Sequence, residues 1–164
     1  IGMDMTPDNI FSPKGQEMRG KAKRLTGTKE AIYLKGRLGL VIDGTGKDPD
    51  KVANQAKKLK EIGYDVAMIF VNTDLETAIA RDAMRARTLG EKGVTKYWKS
   101  VQRNIGKFQR MFGKPNFLVV DNSQGKNYEK ETLTAYRDAK KFTDKPLTKK
   151  AEKWIASERK KSKR

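Results

Sequence analysis

The stretch RLGLVIDGTGKDPD (Arg37–Asp50) is where the reading of this sequence turns. An apolar run of strand character stops at Asp43, Gly-Thr-Gly-Lys follows, and Asp48-Pro49 opens a helix. Strand, glycines, lysine and helix is the layout of a phosphate-binding loop, whose pattern is G-x-x-x-x-G-K-[ST]. Its amides wrap the phosphates, its lysine reaches the terminal ones and its hydroxyl binds magnesium. Aligning Gly46-Lys47 to it puts Val41 at the first glycine and Asp48 at the hydroxyl position. Val41 lies inside the strand, so no loop is left to wrap a phosphate, and Asp48 would set a carboxylate beside the anion. The dinucleotide pattern G-x-G-x-x-G fails too, because Pro49 follows Gly44-x-Gly46. This is not the phosphate loop.

Attention moves to Asp43. A carboxylate at the end of a buried strand can hold a hydroxyl substrate, act as a base, or coordinate magnesium through water. Gly44 and Gly46 allow close backbone approach. The same residues also fit a plain strand-ending turn with an aspartate cap.

Working outward, residues 1–16 read as loop, and a polar helical pattern from Gln16 to about Leu34 is interrupted near Gly27. Leu38–Asp43 is expected to be a strand buried on both faces. Asp48 is a fitting N-cap with Pro49 at the first helical position, and Val52, Ala56, Leu59 and Ile62 recur at helical spacing before Gly63. Asp65–Val71 reads as a second strand, followed by a helix from Asn72-Thr73-Asp74 to about Arg87. Val94, Trp98, Val101, Ile105, Phe108 and Phe112 mark one amphipathic helix. Phe117–Asp121 is a third strand. Strands alternating with helices predict an α/β fold with a parallel sheet, functional residues lying beyond the carboxyl ends of the strands.

The sequence of 164 residues contains neither cysteine nor histidine. That excludes disulfides, Ser-His and Cys-His catalysis, and the usual ligands of zinc, with no sign of haem. The remaining side chains suit phosphoryl transfer better than acyl transfer. The longest apolar run, Val66–Val71, is far short of the roughly 20 residues of a membrane span. The first residue, Ile1, is not a methionine, as expected of a processed or truncated product.

The formal charge is +17. Residues 140–164 hold eleven Lys/Arg against three acids, a net +8, and the remainder a net +9. A polybasic tail carrying Phe142, Trp154 and Ile155 favours nucleic acid or another polyanion, and equally fits a solvated surface.

In LETAIARDAMRARTLG (Leu75–Gly90), Arg81 and Arg85 fall four residues apart on one helical face, with Arg87 further round. Guanidiniums on a helix leading into a glycine-containing segment suit phosphate binding in a closing lid. A solvated face, with Arg81 paired to Glu76, Thr77 or Asp82, fits as well.

Taken in order, VIDGTGKD, LKEIGYDVAMIFVNTDLETAIARDAMRAR, KYWKSVQRNIGKFQRMFG and FLVVDNS resemble P-loop kinases of the zeta-toxin and polynucleotide-kinase-like group. Most narrowly they resemble predicted kinases of tailed phages. The resemblance runs from about Asp8 to Asp121. It implies a three-layer parallel sheet of order 2-3-1-4-5 whose first strand and Walker A loop are not found in this sequence. It implies that Asp43 and Thr45 face substrate or magnesium, with Lys47 beside them. It makes Arg81, Arg85 and Arg87 lid arginines, Asp8 a candidate general base, and Asn122 and Ser123 neighbours of the nucleotide base. Mg2+ with ATP or GTP, and a host-cell cytoplasmic location, follow from the same resemblance.

Two functional classes follow. One is an ATP- or GTP-dependent kinase, this chain giving the substrate-and-lid portion, with its missing strand supplied by another chain or fragment. The other is a non-catalytic nucleic-acid-binding or structural phage module on a kinase-like scaffold. The expected organisation is an α/β portion at residues 1–139 and a basic helical extension at 140–164.

Overall fold

The computed structural model describes residues 9–146 and 148–162. Asp8 lies outside the described residues. The chain divides into two compact units, Ile1–Gly44 with Arg85–Arg87, and Thr45–Met84 with Thr88–Arg164.

The first unit is built on α1, Pro13–Lys35. Pro13 is preset for the first helical position, and the Ser12 hydroxyl accepts from the Gly15 amide at 3.0 Å. Gly15 is obligatory, because a Cβ there would stand 2.1 Å from the Asn9 carbonyl oxygen. The helix runs unbroken through Gly27, where the sequence pattern predicts an interruption. A single glycine costs a helix only about 1 kcal/mol, too little to end a helix this long. Beyond Arg37, which takes a left-handed φ of 55°, the apolar segment Leu38–Asp43 forms no strand. Val41 is fully exposed. A strand exists only through a neighbour's ladder hydrogen bonds, and the two strands among the described residues pair with each other.

The second unit holds the sheet. α2, Pro49–Glu61, starts as the sequence predicts, with the Asp48 carboxylate accepting from the Lys51 amide at 3.0 Å. Gly63, at φ 101°, allows the chain to reverse into β1, Met68–Asn72. α3, Leu75–Ala83, α4, Gly90–Gln102, and α5, Ile105–Phe112, form the crossover to β2, Phe117–Asp121. The two strands are parallel, in register from Met68 opposite Phe117 to Asn72 opposite Asp121. The protein is therefore α/β but mostly helical, its described sheet being this one pair rather than a broad three-layer sheet.

The expected single helix over residues 94–112 is two helices. At the junction the Asn104 amide turns back to Val101 O at 2.9 Å, a tighter closure than an α-helix makes. Phe108, fully buried, then leads the core with Ala56, Phe70, Phe112 and Phe117. The Phe70 ring lies 6.4 Å from Phe108 and 6.1 Å from Phe117, tilted at 41° in both cases, a geometry that adds to simple area burial. On the opposite face of β1, Ile69 and Val71 are exposed.

The C-terminal segment, expected as a basic helical extension at 140–164, forms two helices: α6, Tyr128–Asp144, and α7, Lys149–Lys161. α6 lies against β2. α7 is capped by Thr148 and buries Ala151, and the Lys150 ammonium donates to the Glu61 carbonyl. Among the described residues no helix is long and apolar enough to cross a membrane.

Candidate functional site

The shared register brings the carboxyl ends of both strands to one level, and the loops that leave them bond to each other. The Asn122 amide donates to Asn72 O at 2.7 Å. The Asp74 amide donates to Ser123 Oγ at 2.9 Å, and the Gln124 amide to Thr77 Oγ1 at 3.0 Å. Thr77 is buried, and its hydroxyl and amide both donate to the Asp74 carboxylate at 2.7 Å. Asp74 is a helix N-cap of a type legible in the sequence.

These bonds hold the Asp74 carboxyl well below its ordinary value of 3.8, at about 2, the Thr77 hydroxyl contributing most, then the Thr77 amide. A carboxyl depressed in the folded state stabilises it fully above the ordinary value and loses that contribution as pH falls through about 2. Asp74→Asn is therefore expected to unfold at lower urea than the parent near neutral pH, the two midpoints converging as pH approaches 2. Equal midpoints at neutral pH would count against the cap. Asp121 is lowered as well, by Ser123 first and then by Lys126, whose ammonium lies 3.1 Å from it.

α4 ties a second loop to this level. Trp98 Nε1 donates to Thr73 O at 2.7 Å, and Gln102 Nε2 to Asn72 Oδ1 at 2.7 Å. Asn104, buried at the α4–α5 junction, donates from Nδ2 to Gly46 O at 3.0 Å and Lys47 O at 3.1 Å. Gly46 takes φ 66°, and a Cβ on it would meet the Phe108 ring at 3.4 Å. The Lys47 ammonium sits 4.8 Å above the Tyr97 ring, a cation–π contact that fixes its direction. Thr45-Gly46-Lys47 is thus anchored through α4 to the end of β1. Thr45 and Lys47 are exposed there.

Arg81, on α3, donates to the Tyr128 hydroxyl at 2.8 Å rather than pairing with a nearby acid. The helix ends at Ala83, short of the predicted Arg87, because the chain turns toward α4. The buried Asp82 carboxylate accepts from the Leu89 and Gly90 amides at 2.8 and 3.1 Å, capping a helix that has no cap residue of its own. Arg85 is therefore off the helix and does not share its face with Arg81. Arg85 and Arg87 fall in the first unit, where the Arg87 guanidinium lies 5.9 Å from the Phe11 ring centroid. Asp43 also belongs to that unit and is exposed. Among the described residues the ion pairs join lysines to acids, and none of them involves Arg81, Arg85 or Arg87.

The second unit holds Thr45, Lys47, Arg81, Asn122 and Ser123, of which Asn122 and Ser123 bond at the strand ends, while Asn104 holds the Gly46-Lys47 backbone and Tyr128 takes Arg81. Sequence reading missed Thr77, Asp82, Trp98, Gln102 and Asn104, which do the positioning. The signal for Asn104 is its place four residues before Phe108, at the edge of an apolar face.

For magnesium, Asp74 is committed to Thr77, and Asp121 to Ser123 and Lys126. The described residues contain no cluster of three acids. A magnesium ion held chiefly by phosphate oxygens and water needs only one or two carboxylates.

No curated protein matches the chain, and no solved structure does. A family model described as zeta toxin matches residues 13–123, a span that takes in α1, the DGTGK loop, both strands and the Asn122-Ser123 turn. The chain belongs to the zeta toxin family, which implies the fold of a kinase-like, nucleotide-binding phosphotransferase.

Proposed function

We propose that the chain is the substrate-and-lid portion of a phosphotransferase that uses ATP or GTP. The observation that carries this reading is the meeting of the loops that leave two parallel strands, through Asn122 and Ser123, at the carboxyl ends where α/β enzymes bind ligands. Lys47 and Thr45 would meet substrate or phosphate. Arg81, with Arg85 and Arg87 from the segment that follows, would neutralise the charge that develops on the transferred phosphoryl group. Asp43 would hold magnesium through water or orient the acceptor hydroxyl, and Asp8 would act as base. Asn122 and Ser123 would border the nucleotide base. When bound, magnesium supplies charge neutralisation across the phosphates.

The sequence contains no G-x-x-x-x-G-K-[ST], so in this reading the phosphate loop and its strand come from another chain or segment. The exposed Ile69 and Val71 on the open face of β1 are consistent with such a neighbour. Residues 1–139 would form the kinase-like portion and 140–164 a basic extension. The likeness to predicted kinases of tailed phages supports a place in the host cytoplasm.

Calorimetric titration with Mg-ATP and Mg-GTP tests the reading, using the polypeptide as encoded from its own initiation codon. Binding is expected, and Arg81→Ala with Arg85→Ala should weaken it by about tenfold or more, as loss of charge-assisted hydrogen bonds does. Absence of binding to both nucleotides would overturn it.

A further inference from the structure

We propose that the outward face of α7 binds the phosphate backbone of nucleic acid. The helical period turns Ala151, Ile155 and Glu158 toward the protein, where they are buried or half-buried, and sets Lys149, Lys153 and Lys160 on the opposite side, all exposed. Four other lysines of the two C-terminal helices are committed. Lys140 pairs with Asp144 at 2.8 Å, Lys141 with Asp138 at 2.8 Å and Lys161 with Glu158 at 2.6 Å. Lys150 bonds the Glu61 carbonyl and packs on Gly63. Lys149, Lys153 and Lys160 have no acidic partner among the described residues.

Their spacings of four and seven residues place the ammonium groups along about 16 Å of helix axis. A nucleic-acid strand advances about 3.4 Å per phosphate, so the stripe matches roughly five nucleotides. Arg159 and Lys160 also lie in the last turn, where the helix dipole favours cations. Glu152, Ala156 and Ser157 flank the stripe, and Trp154 is the one exposed large apolar side chain of α7, too little for the broad apolar surface that a membrane-inserting helix buries or for the apolar centre of a protein interface. A polyanion read by charge alone is the partner that fits.

The test is fluorescence anisotropy of the full chain with a labelled oligothymidylate of about 20 nucleotides, longer than one small-domain site. Binding should weaken linearly on a log–log plot against salt. Lys149→Gln, Lys153→Gln and Lys160→Gln together should make the slope shallower by about 2, at roughly 0.7 for each single-strand phosphate left without its lysine, with the circular dichroism spectrum unchanged. Lys153→Gln alone should remove about a third of that change. Neutralising the exposed Lys14, Lys23 and Lys29 of α1 should leave the slope as it was. An unchanged slope in the α7 variant, an equal loss in the α1 variant, or tighter binding to phosphatidylserine vesicles than to the oligonucleotide would each overturn the proposal. None of these outcomes bears on nucleotide binding by the strand-end site.

Discussion

Replacing Phe108 by alanine is expected to lower the unfolding free energy by about 3–5 kcal/mol, the usual cost of emptying a buried aromatic site. Phe108 is the one large side chain among the described residues that is fully buried. It joins α5 to β1 through Phe70, and its ring edge is the surface on which Gly46 rests. The cavity would therefore loosen both the sheet packing and the Thr45-Gly46-Lys47 turn. Total stabilities of domains lie at about 5–15 kcal/mol, so the variant should be largely unfolded at modest urea. Phe108→Leu keeps most of the volume and should cost less than about 2 kcal/mol. A urea midpoint for the alanine variant close to the parent would contradict the assignment of Phe108 as the centre of the core.

Asp43→Asn is expected to slow phosphoryl transfer by about 10²–10⁴-fold, the range for removing a positioned acid–base or charge-binding group. The carboxylate is exposed, so the fold should be undisturbed and the urea midpoint unchanged. This separation is what distinguishes a functional Asp43 from a turn-capping one. If the residue only ends a turn, the substitution should alter stability slightly and rate not at all.

Parts of this molecule are legible in the sequence because they depend on local chemistry. Asp48-Pro49 announces a helix start, and the cap forms as read. Phe117–Asp121 is a strand with the predicted bounds, its apolar run bordered by Gly113-Pro115 and Asn122. Leu38–Asp43 has the same apolar run but no strand, because a strand needs a neighbour that the run itself cannot specify. The end of α3 departs from the pattern for a related reason. Asp82 commits its carboxylate to the amides of Leu89 and Gly90, a contact invisible to helical periodicity. In the candidate site, Arg81, Lys47 and Ser123 can be singled out by residue type and position. Trp98 and Gln102 cannot, since their roles rest on contacts with Thr73 and Asn72 that helical periodicity does not show.

The most direct measurement is transfer of the γ-phosphate from labelled Mg-ATP or Mg-GTP to water or to a panel of hydroxyl acceptors, made with the polypeptide as encoded from its own initiation codon. The phosphotransferase reading predicts transfer by the parent protein, and its loss by at least about 10²-fold in Asp43→Asn and in the Arg81→Ala, Arg85→Ala pair. Transfer that is absent from the parent, or equally fast in these variants, would contradict it.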